Sequence, residues 1–234
     1  MLEVYFHGHS FVEIETEKGS ILIDPMLESN PLCNITLDEL YSKNILAIIN
    51  THGHADHIWN TVDIANKTNC KVISTFEIIQ YFAKDRGLAN LEAMHIWWEV
   101  NFWDFSIKFT QAIHWWWIYT ENGFLPWKAA GVIVRTQGKN IYHAGDTALT
   151  YDMKLLWEYE NIDLAFLPIG DRFTMGTKDA VIATEFIKPQ IVTPIHYDTW
   201  DPIKTDTEEF AREIMKKNLA IPKVLKSGQS IVFN

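Results

Sequence analysis

The stretch Thr51-His52-Gly53-His54-Ala55-Asp56-His57 puts three imidazoles and a carboxylate directly behind the apolar run Ile45-Leu46-Ala47-Ile48-Ile49-Asn50. The run predicts a buried strand of a largely parallel sheet, and Thr61 to Asn66 predict helix, so the motif is a strand-to-helix loop. In an extended segment residues i and i+2 point the same way. His52 and His54 can therefore grip one metal ion, while Asp56 and His57, past the turn, face a second. Imidazole with carboxylate suits zinc first, and manganese or iron as well, whereas a thiolate site would need cysteines. A lone histidine is more often a packed polar residue than a ligand; for a whole HxHxDH string the balance is reversed.

The same device recurs along the chain. Leu2 to Phe6, Phe11 to Glu15 and, after a turn at Gly19, Ser20 to Asp24 read as strands, the last ending in Asp24-Pro25 with a carboxylate at the sheet edge. Lys71 to Ser74 predicts a strand, Leu37 to Ser42 and Phe76 to Phe82 predict helices, and Gly87 punctuates the second. This alternation is an α/β pattern. From Ala93 to Val134 the pattern changes to short strands, Asp104 to Thr110 and Ala130 to Arg135, with His114 just beyond the first. Asn140 to Thr147 and Ile162 to Ile169 are strands running into loops that carry His143, Gly145, Asp146 and Asp171. Thr177 to Lys188 predicts a helix, Ile191 to His196 a strand that delivers His196 at its end, Thr207 to Lys217 an amphipathic helix, and Lys223 to Asn234 closing strands. Asp24, the His52 to His57 group, His114, Asp146 and His196 all fall where an apolar strand gives way to a loop, the place where open α/β sheets build sites.

With 234 residues, 47% of them hydrophobic, the chain can bury a large core as one domain or two tightly joined halves. Glu3 and His7 interrupt the first residues, so neither a secretory leader nor a membrane span is predicted, and the expected location is cytoplasmic. The two cysteines, Cys33 and Cys70, lack CxxC spacing and predict buried thiols rather than a disulfide or a cysteine metal site. A formal charge of -10 argues against nucleic acid and against an anionic membrane as partners.

The order Asp, HxHxDH, His, Asp, His from Asp24 to His196 resembles the metallo-β-lactamase superfamily. So do His7-Gly8-His9-Ser10, Tyr142-His143-Ala144-Gly145-Asp146-Thr147, Phe166-Leu167-Pro168-Ile169-Gly170-Asp171 and Pro194-Ile195-His196-Tyr197, which are similar to the UPF0173 group of metal-dependent hydrolases. That group is in turn similar to ascorbate-phosphate lactonases and phospholipase D-type members. The resemblance implies a four-layer αββα sandwich over residues 1-234, a single domain of two similar halves. It also implies two divalent cations: His52, His54 and His114 on one, Asp56, His57 and His196 on the other, and Asp146 between them. Asp24 then supports a ligand histidine instead of binding metal.

The implied chemistry is hydrolysis of a small anionic ester, lactone or phosphodiester by a bridging water whose pKa is lowered toward neutrality. Asp56, His143 and Asp171 are the candidate catalytic side chains, although His143 and Asp171, like His7 and His9, suit supporting roles better than that of the acid; His95 is a weaker candidate. Trp97, Trp98, Trp103, Trp115, Trp116, Trp117 and Trp127 depart from the family pattern. They suit a pocket wall, a buried cluster or the interface of a homo-oligomer. If they fill the pocket, the alternative is a metal-binding scaffold without turnover.

Overall fold

The computed structural model describes residues 1–120 and 123–233, without the side chains of residues 116–127. In chain order the first elements are β1 (Leu2–Phe6), β2 (Val12–Thr16), β3 (Gly19–Ile23), α1 (Leu37–Tyr41), β4 (Ile45–Ile49), α2 (Ala55–Ile58), α3 (Thr61–Thr68), β5 (Lys71–Thr75), α4 (Phe76–Asp85) and β6 (Leu91–Met94). There follow β7 (Glu99–Phe102), β8 (Phe105–Thr120), β9 (Gly123–Thr136), β10 (Lys139–His143), α5 (Met153–Tyr159), β11 (Leu164–Pro168), α6 (Thr177–Ile187), β12 (Ile191–Ile195), α7 (Thr207–Lys216), β13 (Ile221–Pro222) and β14 (Ser230–Phe233).

These elements form two units, the first made mostly of Met1–His95 and Lys226–Asn234, the second of Ile96–His114 and Ala130–Leu225. The first carries a seven-stranded sheet ordered β14-β1-β2-β3-β4-β5-β6. It is mixed: β14, β1, β2 and β3 are antiparallel, whereas β3 to β6 run parallel. The expected parallel sheet is thus correct only for the half that holds the HxHxDH loop. Hairpin-length connections at Gly8 and Gly19 permit only antiparallel neighbours at the start of the chain. From β3 and β4, Leu22, Ile45 and Ile48 join Ile64, Ile78 and Phe82 of α3 and α4 in one core cluster, with the β3–β4 register shifting after Ile45. Their neighbours Ile21, Ile23, Ala47 and Ile49 are equally buried, which is why the strands read as continuous apolar runs. Thr36 and Glu39 form a capping box on α1, and α3 stops where Asn69 turns left-handed (φ 55°).

The second unit has the sheet order β13-β12-β11-β10-β9-β8-β7, with β10 to β13 parallel and β9 antiparallel to β10. Helices α5, α6 and α7 contribute Leu156, Ala180, Ile187, Phe210 and Ile214 to a core with Ile133, Ala165, Leu167 and Val192 of the sheet. Because β10, β11 and β12 are parallel, their C-terminal ends share one edge, and Asp146, Asp171 and His196 follow those ends.

Three expectations need correction. Ala93 to Val134 is not a set of short strands: β8 and β9 run for 16 and 14 residues, and His114 lies inside β8 rather than beyond its end. Asp56 and His57 sit in a helical turn of their own, α2, before α3 begins. Among the described residues from Lys223 onward the one strand is β14, the other short strand, β13, ending at Pro222.

Candidate metal centre

Asp24 holds the first unit's donors in place. It follows β3 with a left-handed backbone (φ 50°), a conformation uncommon outside glycine and concentrated at functional sites, and its side chain is fully buried. Its Oδ1 accepts the Thr51 backbone N–H at 2.8 Å; its Oδ2 accepts the Thr51 hydroxyl at 2.6 Å and His57 Nδ1–H at 2.7 Å. With its proton given to Asp24, the Thr51 oxygen accepts from His52 Nδ1, 3.0 Å away. One carboxylate therefore fixes the tautomer of two imidazoles, directly for His57 and through Thr51 for His52. Both rings are left with an Nε2 lone pair, the form a cation needs.

The other donors of the loop cluster about those nitrogens. His52 Nε2 and His54 Nδ1 stand 2.6 Å apart, and Asp56 Oδ2 lies 3.7 Å from His57 Nε2. Asp24, His52 and His57 offer atoms that all lie within 4.8 Å of one another, and His9, Asp56 and His57 do the same. His9 Nε2 reaches Asp56 Oδ2 at 3.0 Å from a buried, left-handed position (φ 56°). Nitrogen and carboxylate atoms crowded this closely suit divalent cations of the zinc, manganese or iron type.

Beneath the loop, residues with no site role expected from the sequence tie it down. Asn50 donates to the His57 carbonyl at 2.9 Å and exchanges hydrogen bonds with Thr61, while the Ser74 hydroxyl donates to the Asn50 carbonyl at 2.7 Å. Asn60 accepts the Leu27 N–H at 2.7 Å, linking the start of α3 to the segment after Asp24. The only sequence signal for these was an asparagine at each end of the motif.

In the second unit Asp146 is the centre. Its Oδ2 lies 3.2 Å from His196 Nε2 and 3.7 Å from His114 Nε2, a carboxylate oxygen between two imidazoles. The turn that carries it is set by His143, whose Nδ1 accepts the Gly145 N–H at 3.1 Å, Gly145 itself being left-handed (φ 61°). Thr147 anchors the other side: its Oγ accepts the Ile113 N–H at 3.0 Å, and Ala148 N–H donates to the Ile113 carbonyl at 3.0 Å. Since Ile113 precedes His114, these bonds hold the His114 imidazole in register with Asp146. His196 is left-handed (φ 54°) and almost fully buried. Its carbonyl passes so close to Gly170 that a Cβ there would strike it. Burial, and next the Asp198 charge, push the neighbouring Tyr197 phenol up to about 12, so it stays protonated at neutral pH.

The remaining candidates sort by position. His143 is buried on β10 with its ring tilted against Phe166, and it acts on the Asp146 turn. Asp171 is exposed, left-handed (φ 66°), and its carboxylate lies over Gly176 at the start of α6, outside the groups of mutually close donors. His7 is buried between Asn34 and Glu13, at 3.0 and 2.9 Å, as part of a polar network inside the first unit. His95 is exposed and stacked on Phe76. Of the tryptophans, Trp97 packs against the second unit's core, and Trp98, Trp103 and Trp115 are exposed. The side chains of Trp116, Trp117 and Trp127 lie outside the described residues. Among the described residues no helix is long and apolar enough to cross a membrane.

Comparison with known proteins identifies the family. The Beta-lactamase superfamily domain matches residues 20–197. A UPF0173 metal-dependent hydrolase of Bacillus cereus is 42% identical over 234 residues, 98% of this chain and 99% of that protein. One from Anoxybacillus flavithermus is 42% identical over 233 residues, with the same coverage. The structure of Igni18, a metallo hydrolase from the archaeon Ignicoccus hospitalis, superimposes with a TM-score of 0.88 at 30% identity, over 100% of this chain and 98% of that one. The chain belongs to the metallo-β-lactamase superfamily and, within it, to the UPF0173 group of metal-dependent hydrolases.

Proposed function

We propose that the chain works as one catalytic domain that hydrolyses a small anionic ester, lactone or phosphodiester at a pair of divalent cations, with zinc the first choice. In this reading His52, His54 and His114 hold one cation, Asp56, His57 and His196 the other, and Asp146 spans both. The observation that carries it is the buried Asp24, which commits His52 and His57 to the tautomer that presents Nε2 as a lone pair. When bound, the cations supply a hydroxide-like nucleophile at neutral pH and polarise the carbonyl or phosphoryl oxygen under attack. Asp24 and Thr51 keep the two imidazoles from rotating, and the His143–Gly145 bond keeps the Asp146 carboxylate aimed. Asp56, held by His9 on one oxygen, is the residue best placed to orient the nucleophile. Two cations against the carboxylates of Asp56 and Asp146 leave the centre positive, which favours an anionic substrate although the whole chain carries -10. A long polyanion such as nucleic acid is disfavoured by that same overall charge.

The test combines metal analysis with a panel of small phosphodiesters, lactones and carboxylic esters. Two cations per chain and turnover on at least one class, both lost in His54→Ala, are expected. Two bound cations without turnover on any class would overturn hydrolysis in favour of a metal-binding scaffold, and full activity in His54→Ala would remove the proposed ligand set.

A further inference from the structure

The back of the metal loop borders a second feature that no candidate ligand lines. A cavity of about 480 Å³ opens within the first unit, walled by Gly53 and Ala55 from the loop, by Ile58, Trp59 and Val62, and by Tyr81 and Phe82 of α4. Its charged lining residues are Asp63 and Arg86. The volume falls in the range of small-molecule sites and is too small for a protein segment of any size. Phe82 is fully buried and Trp59 about half exposed (48%), so the cavity grades from an apolar floor to an aromatic rim.

Arg86 gives this cavity a polarity. Its Nε donates to the Tyr81 hydroxyl at 2.6 Å, and its guanidinium lies over the Tyr81 ring, 5.2 Å from the centroid. The side chain is thereby pre-oriented by a hydrogen bond and a cation–π contact. Among the described residues no carboxylate pairs with it, and its Nη groups find no protein acceptor, leaving the planar fork that binds a carboxylate through two parallel hydrogen bonds. Asp63, also on the lining, repels a second negative charge. We propose that this cavity is a binding site for a small monocarboxylate with an aryl or alkyl tail, the tail among Ile58, Val62 and Phe82 and the carboxylate on Arg86. Such an occupant would touch the backbone between His52 and Asp56 without contacting a metal ligand's side chain. The site stands independently of the hydrolytic reading, because its residues are not those of the metal centre.

The experiment is a calorimetric titration of the metal-loaded protein with 3-phenylpropionate and with 3-phenyl-1-propanol, which has the same skeleton without the charge. The acid is expected to bind at least about tenfold more tightly than the alcohol, the scale of one charge-assisted hydrogen-bond pair. Arg86→Gln should bring the acid down to the alcohol's affinity, and Val62→Phe, which fills the cavity, should remove both. Unchanged thermal unfolding of Arg86→Gln certifies its fold. Repetition after chelation separates the site from the metals: acid binding that disappears with the metals yet survives Arg86→Gln overturns the proposal. Equal affinity for acid and alcohol, or no binding of either at millimolar concentration, overturns it as well.

Discussion

Replacing Asp24 with asparagine keeps the side chain's shape and tolerates the left-handed backbone at that position (φ 50°), so the loop can fold as before. The chemistry of Oδ2 is inverted. That atom accepts from both the Thr51 hydroxyl (2.6 Å) and His57 Nδ1–H (2.7 Å), whereas an amide nitrogen in its place only donates. His57 must then turn Nδ1 into an acceptor and move its proton to Nε2, the atom that should face the cation. Thr51 loses its acceptor too, which releases the second contact that fixes His52. Loss of one such supporting partner typically costs about 10- to 100-fold in metal affinity. Two imidazoles depend on Asp24, so the upper part of that range is expected, roughly 2 to 3 kcal/mol of binding free energy. Competition against a chromophoric chelator at constant pH reads this directly. A variant with native metal affinity would refute the tautomer argument, and a loss confined to thermal stability would reduce Asp24 to a packing residue.

Other expectations concern the scaffold around the centre. Glu13 is fully buried; burial pushes its carboxyl up, but hydrogen bonds from His7, Lys43 and Ser20 outweigh this and hold it down at about 2 from an ordinary 4.5. A depressed folded-state value stabilises the fold above about pH 4.5 and loses that contribution as pH falls toward about 2, about 3 kcal/mol in all. Urea unfolding of Glu13→Gln should therefore be flatter than wild type across this window, and parallel profiles would contradict the network's role. Gly170→Ala drives a methyl group into the His196 carbonyl, and a loss of about 1 to 3 kcal/mol in stability, with weakened metal binding, is expected from the forced shift. Unaltered unfolding and metal affinity would mean that the loop yields freely.

How far the sequence carries depends on whether a signal is local. The HxHxDH loop, Asp24 after an apolar strand and His196 at the end of Ile191 to Ile195 were all legible, because an apolar run followed by a polar donor is contained within a few residues. Alternation fails in the aromatic run after His114, so the sequence suggests a strand that stops before it; β8 nevertheless continues for 16 residues, beyond the usual strand length, as pairing supplies what local pattern does not. Leu91–Met94 carries little pattern of its own for a related reason, its strand character coming from parallel pairing with β5. His9 and Asn60 act through partners 47 and 33 residues away, distances at which one sequence offers no pattern to read. Asp171 shows the opposite case: a conspicuous Gly-Asp after a strand turns out to be an exposed turn residue packed on Gly176.

The central claim is that two sets of side chains, oriented by Asp24 on one side and by the Asp146 turn on the other, hold a pair of divalent cations. Anomalous diffraction from crystals of the zinc-loaded protein, recorded on both sides of the metal's absorption edge, tests it most directly. The account predicts two peaks, one ligated by His52, His54 and His114 and one by Asp56, His57 and His196, with an Asp146 oxygen reaching each. A single peak, or peaks bound by other residues, would contradict it.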